Sequence, residues 1–276
     1  MELFKILKLE QNLRSNDNTY NSLLLTIGDG NISSLVIPNE WKTNDISWKF
    51  YGDVDQNCWM NRVILCPHNT DTAIINNRIL KFLNGDVKTY FSIDYATHKE
   101  VDQTDDDIEL NYPIEMLNNI KEGLPPHELN LKIDAIVMLI RNLSISDGLC
   151  NGTRLKIINL FEYNIEEEIV TGENIGRKVF IPRITLNTSE TSFLSFTLYR
   201  KHFPIVLAFS MTINKSQGQS FDTVGLFMRR SLFSHGQLYV ALSRCKNSNN
   251  IFIQNETEEK LFIKNIVCKE IFNDPQ

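Results

Sequence analysis

Apolar positions along the chain change period from one stretch to the next, and the changes mark out elements. Leu3, Phe4, Ile6, Leu7 and Leu9 crowd the amino-terminal stretch, a run short enough for a buried strand that ends at a polar break, with Arg14 leaving the end of that element. Tyr20, Leu23, Leu24 and Ile27 then recur at helical spacing and stop at Gly28 and Gly30, which predicts a short helix. Val63, Ile64 and Leu65 form a compact run closed by Pro67 and predict a buried strand. Ile74, Ile75, Ile79, Leu80 and Leu83, before Gly85, predict the helix that follows it. A strand feeding a helix is the repeating unit of an α/β layer fold.

LKIDAIVMLIRNL is a further strand-like run, and Asn151-Gly152 after it is a turn signal. From there to about His202 the period drops to two, in KVFIPRITL and SFLSFTLYRK, and a small all-β unit inserted into the α/β layer is predicted. FPIVLAFSM reads as a return to a central parallel strand that runs into the polar loop TINKSQGQ, and FDTVGLFM reads as one more strand.

A chain of 276 residues with 42% hydrophobic content can bury a full core in one large domain or two smaller ones. No run approaches the roughly 18 apolar residues that a membrane span requires. MELFKILKLEQNLRS lacks the apolar core and cleavage site of a signal peptide, so an intracellular protein is expected, with the nucleus as its compartment and the mitochondrion as the alternative. The five cysteines are an odd set without C-x-x-C spacing and read as reduced structural thiols, with no zinc site or other metal centre.

The net charge of −6 argues at first against a nucleic-acid partner. Its distribution changes the picture. Between Arg200 and Lys246 seven bases face the single acid Asp222, whereas between Asp94 and Glu128 ten acids face two bases. The basic segment is the one that carries chemistry, and the acidic run reads as a solvated loop.

In open α/β sheets the working groups sit at the carboxyl ends of strands. TINKSQGQ lies at such an end, and Thr212, Lys215, Ser216, Gln217 and Gly218 offer hydroxyls, an ammonium, an amide and a flexible backbone point suited to phosphate oxygens. If GQLYVALSR is helical, Gln237, Ala241 and Arg244 fall on one face, and Arg244 can present its fork to a phosphate chain while Leu238 and Leu242 pack inward.

LEQNLRS, ILCPHN, GLCNGTRL, MTINKSQGQSFD and FSHGQLYVALSRC stand in this order, and together they resemble the Pif1 family of superfamily-one DNA helicases, including the helicase parts of Helitron transposons. The resemblance spans nearly the whole chain. It implies an α/β fold, the second RecA-like motor domain (2A) of a P-loop NTPase, built from residues 1–147 and 205–276, with a small SH3-type β-barrel (2B) inserted at 148–204. In such motors ATP and Mg²⁺ sit between two RecA-like domains while single-stranded DNA crosses both. By match to the family motifs, Arg14 and Arg244 resemble the arginines that reach the γ-phosphate. Gly218 and Gln219 would lie near the nucleotide, and Gln237 would hold its helix against it. Thr212, Lys215, Ser216 and Asn69 resemble the groups that grip the DNA backbone.

The activity implied is ATP-dependent, 5′ to 3′ DNA unwinding in a repair, recombination or transposon setting. No Gly in the chain is followed by Lys, so the phosphate loop G-x-x-x-x-G-K-[ST] is absent, as is an apolar strand ending in Asp-Glu. The expected partner is therefore a first motor domain, in cis or in trans, and the chain alone is expected not to hydrolyse ATP. A truncated gene model, a decayed transposon copy and half of a split enzyme all fit this pattern. The competing expectation is a catalytically inactive module that binds single-stranded DNA.

Overall fold

The computed structural model of the chain describes residues 15, 17–52, 54–98, 112–188 and 192–268. In chain order the first elements are α1 (Asn18–Gly28), β1 (Ser34–Val36), β2 (Arg62–Cys66) and α2 (Asn69–Leu80). Then come β3 (Lys88–Phe91), β4 (Ile93–His98), α3 (Ile114–Asn119), β5 (Glu128–Leu131), β6 (Ile136–Leu139) and β7 (Arg154–Leu160). They are followed by β8 (Asn164–Ile169), β9 (Lys178–Pro182), β10 (Ile184–Asn187), β11 (Phe196–His202) and β12 (Ile205–Leu207). The chain closes with β13 (Ser210–Thr212), β14 (Thr223–Met228), α4 (Gln237–Leu242), β15 (Ile251–Asn255) and β16 (Phe262–Lys264). The fold is thus mixed α/β. It divides into one unit of Met1–Ile79 with Phe209–Gln276 and a second of Leu80–Ala208.

The first unit is built on a four-stranded parallel sheet in the order β13-β2-β14-β15. All six residues of β14 and the last four of β2 are buried, as a parallel strand covered on both faces requires. Gly225 in β14 admits the layer above it, because a Cβ there would stand 2.7 Å from the Ile46 side chain and 3.0 Å from that of Phe50. Asp17 caps α1 by accepting from the Tyr20 N–H, and the helix buries Tyr20, Leu24 and Ile27, three of the four apolar positions that predicted it. The chain leaves this unit after Ile79 and returns at Phe209, and the two passages are tied together. The Asn76 amide donates to Ser210 O at 3.0 Å and accepts from Ser210 N at 2.8 Å.

Among the described residues the strands of the second unit pair antiparallel, with α3 as its helix. Its sheets run β12-β6-β7-β8-β9, β10-β11-β4 and β3-β5. Period-two burial is visible along β8, β9 and β11, and it is this alternation that marked the segment as all-β. Ionic groups are buried with it. Arg200 and Asp94 are fully enclosed as an ion pair at 2.5 Å, and the guanidinium also donates to the carbonyls of Leu117, Asn118, Ile120 and Pro125. Arg154, of the GLCNGTRL motif, is likewise enclosed and donates to Ala208 O at 3.1 Å.

The structure departs from the sequence pattern at two runs. LKIDAIVMLIRNL makes two strands, because Asp134 turns the chain at φ 65, a left-handed conformation that aspartate tolerates better than most residues. FPIVLAFSM serves two sheets: Ile205–Leu207 pairs antiparallel with β6, and Ser210–Thr212 pairs parallel with β2. Phe203, Ile205, Ala208 and Phe209 are all fully buried, so the run carries no alternation to betray the change of sheet. The antiparallel sheet therefore takes β6 from before residue 148 and β12 from after residue 204, and the second unit is broader than the expected insertion. Asp94, counted with the acidic run, is part of a buried pair rather than a solvated loop. The predicted strand over Leu3–Leu9 and the acidic stretch around Asp105 lie outside the described residues.

Candidate functional site

The groups singled out in the sequence gather at the two ends of the parallel sheet in the first unit. At the carboxyl edge, β13 ends on half-buried Thr212, and the turn Asn214–Ser216 follows. Lys215 is exposed, and partial desolvation by its surroundings holds its ammonium below the usual lysine range. Ser216 is fully buried and its hydroxyl donates to Ile213 O at 2.6 Å, so that group fastens the turn. Gly218 adopts φ 82 with nothing within 4 Å of a Cβ position, so backbone conformation and not crowding calls for glycine there.

The loop after β2 reaches the same edge, since β13 and β14 flank β2 in parallel. Asn69 is exposed at the start of α2. Next to it, Thr70 accepts from the Arg230 guanidinium at 2.7 Å. The His68 ring stacks on Phe233, with centroids 4.8 Å apart and planes 19° from parallel. Arg230 and Phe233 come from the loop after β14. Neither His68 nor Phe233 was marked by sequence reasoning, although both stand inside or beside quoted motifs, and the signal for them is that each follows a buried strand at its carboxyl end.

Helix α4 runs back between the parallel strands β14 and β15, so its start lies at the carboxyl edge and its end at the amino edge. Gly236 caps it at φ 69, and Leu238 and Leu242 are buried as the spacing predicted, whereas Ala241, assigned by that spacing to the face that presents Arg244, is buried as well. Gln237 is 2% exposed. Its Oε1 accepts from Phe233 N at 3.0 Å and Ser234 N at 3.2 Å, and its Nε2 has no hydrogen-bond partner among the described residues.

Arg244 lies beyond the end of α4 and is 5% exposed. The guanidinium is not projected from the helix face. It turns back to donate to Val240 O at 3.1 Å, Gln219 O at 3.0 Å and Ser243 Oγ at 3.0 Å, closing the carbonyl end of the helix. Tyr20 Oη donates to Leu242 O at 2.6 Å and Ser248 Oγ to Asp17 at 2.9 Å, which brings the start of α1 to this same edge. Ser15 is there, accepting from Asp17 N at 3.1 Å, while Arg14 lies outside the described residues.

The candidate residues are thus divided. Gln219 and Arg244 meet at the amino edge, and Thr212, Lys215 and Asn69 share the carboxyl edge. Gln237 stands with the second group, at the start of α4, whereas Arg244 lies beyond its end. Among the described residues no cluster of His, Cys, Asp and Glu could hold a metal ion. Burial pushes the Cys66 thiol up to about 12 and raises that of Cys245, so these two cysteines are inert packing groups.

Residues 115–160 match the family described as DNA helicase Pif1, 2B domain. The ATP-dependent DNA helicase PIF1 of Rattus norvegicus is 33% identical over 192 residues, covering 66% of this chain and 26% of the rat protein. The chain is a Pif1-family DNA helicase region. ATP-dependent DNA helicase Pif1 of Campylobacter jejuni aligns with more of it, at 28% identity over 256 residues, 91% of this chain and 54% of that protein. A Pif1 helicase from Bacteroides solved in complex with ADP-AlF3 and ssDNA has the same fold, with a TM-score of 0.62 and 22% identity over 98% of this chain and 56% of that one. Pif1 helicase from Candida albicans gives a TM-score of 0.61 and 24% identity over 92% and 57%. This Pif1 region therefore spans about a quarter of the vertebrate proteins it matches and about half of the solved chains.

Proposed function

We propose that this Pif1-family region is the second motor part of an ATP-dependent DNA helicase that moves 5′ to 3′ along a single strand. The observation that carries the reading is the division of the first unit into two edges. One holds the forked cation Arg244 on Gln219; the other holds Lys215, Asn69 and Arg230 in loops that follow parallel strands. The separation suits a motor, because nucleotide phosphate charge can be met at one end of the sheet while DNA phosphates are gripped at the other. In this reading the first unit is RecA-like 2A and the second, Leu80–Ala208, is an inserted 2B domain with an SH3-type barrel. The Asn76–Ser210 pair supports it, since it holds the points of departure and return together.

ATP with Mg²⁺, bound against a first motor domain, would supply the free energy for movement. From this side Gln219, the open backbone at Gly218 and the guanidiniums of Arg244 and Arg14 would face its phosphates. The donor set fits an anion: Arg244 already binds carbonyl oxygen through its fork, and exchanging Gln219 O for a phosphate oxygen gives a charge-assisted bond of greater strength. Thr212, Lys215 and Asn69 would hold the DNA backbone, and Ser216 would shape their loop from beneath. A second reading, a module that binds single-stranded DNA without hydrolysis, is favoured by the absence of G-x-x-x-x-G-K-[ST] from the sequence.

Fluorescence anisotropy with unrelated single-stranded oligonucleotides tests the part common to both readings. Binding should weaken steeply with salt and differ little among sequences. Salt-independent affinity, or no binding, would contradict both.

A further inference from the structure

We propose that Phe233, backed by His68, is a stacking platform for an unpaired nucleobase at the carboxyl edge of the parallel sheet. The proposal rests on the single-strand reading above and adds to it a site for the base itself, where the groups named so far concern only the phosphates. One face of the Phe233 ring is covered by the His68 imidazole at 4.8 Å and 19°. The residue is nevertheless 57% exposed, so the ring is not serving as core packing and its other side is open to solvent.

Single exposed apolar residues are common on proteins. This one differs because its mount is rigid. Gln237, itself 2% exposed, spends its Oε1 on the backbone N–H groups of Phe233 and Ser234. The far side of the turn is tied to a second chain segment, with Gly236 N donating to Ile266 O at 2.9 Å and Cys268 N donating to His235 Nδ1 at 2.9 Å. A buried amide committed to two backbone groups of an otherwise exposed turn makes sense if the position of that turn matters. An aromatic ring held this way offers its π-face at little conformational cost.

The surroundings select a nucleic acid over other flat ligands. Arg230 lies on Thr70 beside the stack, and Lys215 is exposed in the neighbouring loop, so cations are at hand for the phosphates on either side of a base. Every base has a π-face, so the platform is tolerant of sequence. A paired duplex, whose base faces are already stacked, gains nothing from it.

The test uses the full chain and two labelled strands of equal length, oligothymidylate and an abasic strand with the same phosphates. Wild type should bind the thymidylate strand more tightly. Phe233→Ala should weaken that binding by about 5-fold or more, the range of one base stacked on an aromatic ring, and leave abasic affinity and the salt slope unchanged. Phe233→Trp should restore it. Arg230→Ala should act on both strands alike and lower the salt slope by about one. A Phe233→Ala variant equally weakened on both strands, or on neither, would overturn the platform while leaving strand binding intact. Failure of wild type to bind either strand would remove the single-strand reading and the platform with it.

Discussion

Glu167 gives the sharpest physical prediction. It lies on β8 between Ile157 of β7 and Val179 of β9, with Ile165 and Ile169 on the same face, and it is fully buried. Neither carboxyl oxygen has a hydrogen-bond partner among the described residues. Burial alone raises its pKa well above the ordinary value of 4.5. The native state therefore keeps the proton over a range in which the unfolded chain has lost it, and the stability that this group contributes is greatest below pH 4.5 and declines as pH rises toward the folded-state pKa. Within that window one proton separates the two states, and the loss is about 1.4 kcal/mol per pH unit. Glu167→Met keeps the side-chain volume and removes the proton. It should be near neutral at acid pH and increasingly stabilising as pH rises through the window, by the same amount per pH unit that wild type loses. Urea unfolding of wild type and variant at several pH values, monitored by a probe in the second unit, reads the difference directly. Parallel pH profiles for the two proteins would refute the reasoning, and would mean that the carboxyl is ionised and solvated in the native state.

Arg200→Lys should destabilise the second unit by about 3–5 kcal/mol, because an ammonium cannot serve Asp94 and four carbonyls at once; the double variant Asp94→Leu/Arg200→Met should be less damaged than either single variant in thermal melts. Replacing residues 80–208 by a short Gly/Ser linker should leave a cooperatively melting first unit, whereas removing 148–204 alone strips β6 of β7 and should give a product without a sharp transition. Lys215→Ala should lower single-strand affinity about equally for all sequences, read by anisotropy, and reduce its salt dependence.

Much of this was legible in the sequence where burial leaves a period to read. Val63–Leu65 and the helix after it, α1 through Tyr20 and Leu24, and the alternating strands of the second unit all follow from spacing. So does the position of TINKSQGQ at a strand's carboxyl end. FPIVLAFSM was opaque because an apolar run buried except for half-buried Val206 and Leu207 has no alternating phase, so its passage from one sheet to another at Ala208 and Phe209 left no mark. Charge was misleading where it was buried: Arg200 counts toward the basic segment and Asp94 toward the acidic one, yet they neutralise each other inside the second unit. Arg244 looked like a projecting cation because helical spacing says nothing of a chain that leaves the helix two residues earlier and folds its fork back onto Val240 and Gln219. The His68–Phe233 stack joins loops far apart in sequence, and only the order β13-β2-β14 puts them side by side.

The central claim is that one edge of the first unit serves a nucleotide and the other serves DNA. Phosphate release by this chain fused to a Pif1-family first motor domain tests it most directly, with single-stranded DNA as the variable. The fusion should hydrolyse ATP in a DNA-stimulated manner, and the chain alone should not. Arg244→Ala should lower the maximal rate by roughly 10³-fold or more, the scale of an arginine supplied from a second domain, with the DNA concentration for half-stimulation nearly unchanged. Lys215→Ala should raise that concentration and leave the maximal rate nearly intact. If Arg244→Ala shifts the DNA requirement, or Lys215→Ala lowers the rate at saturating DNA, the two edges do not carry the separate roles assigned to them.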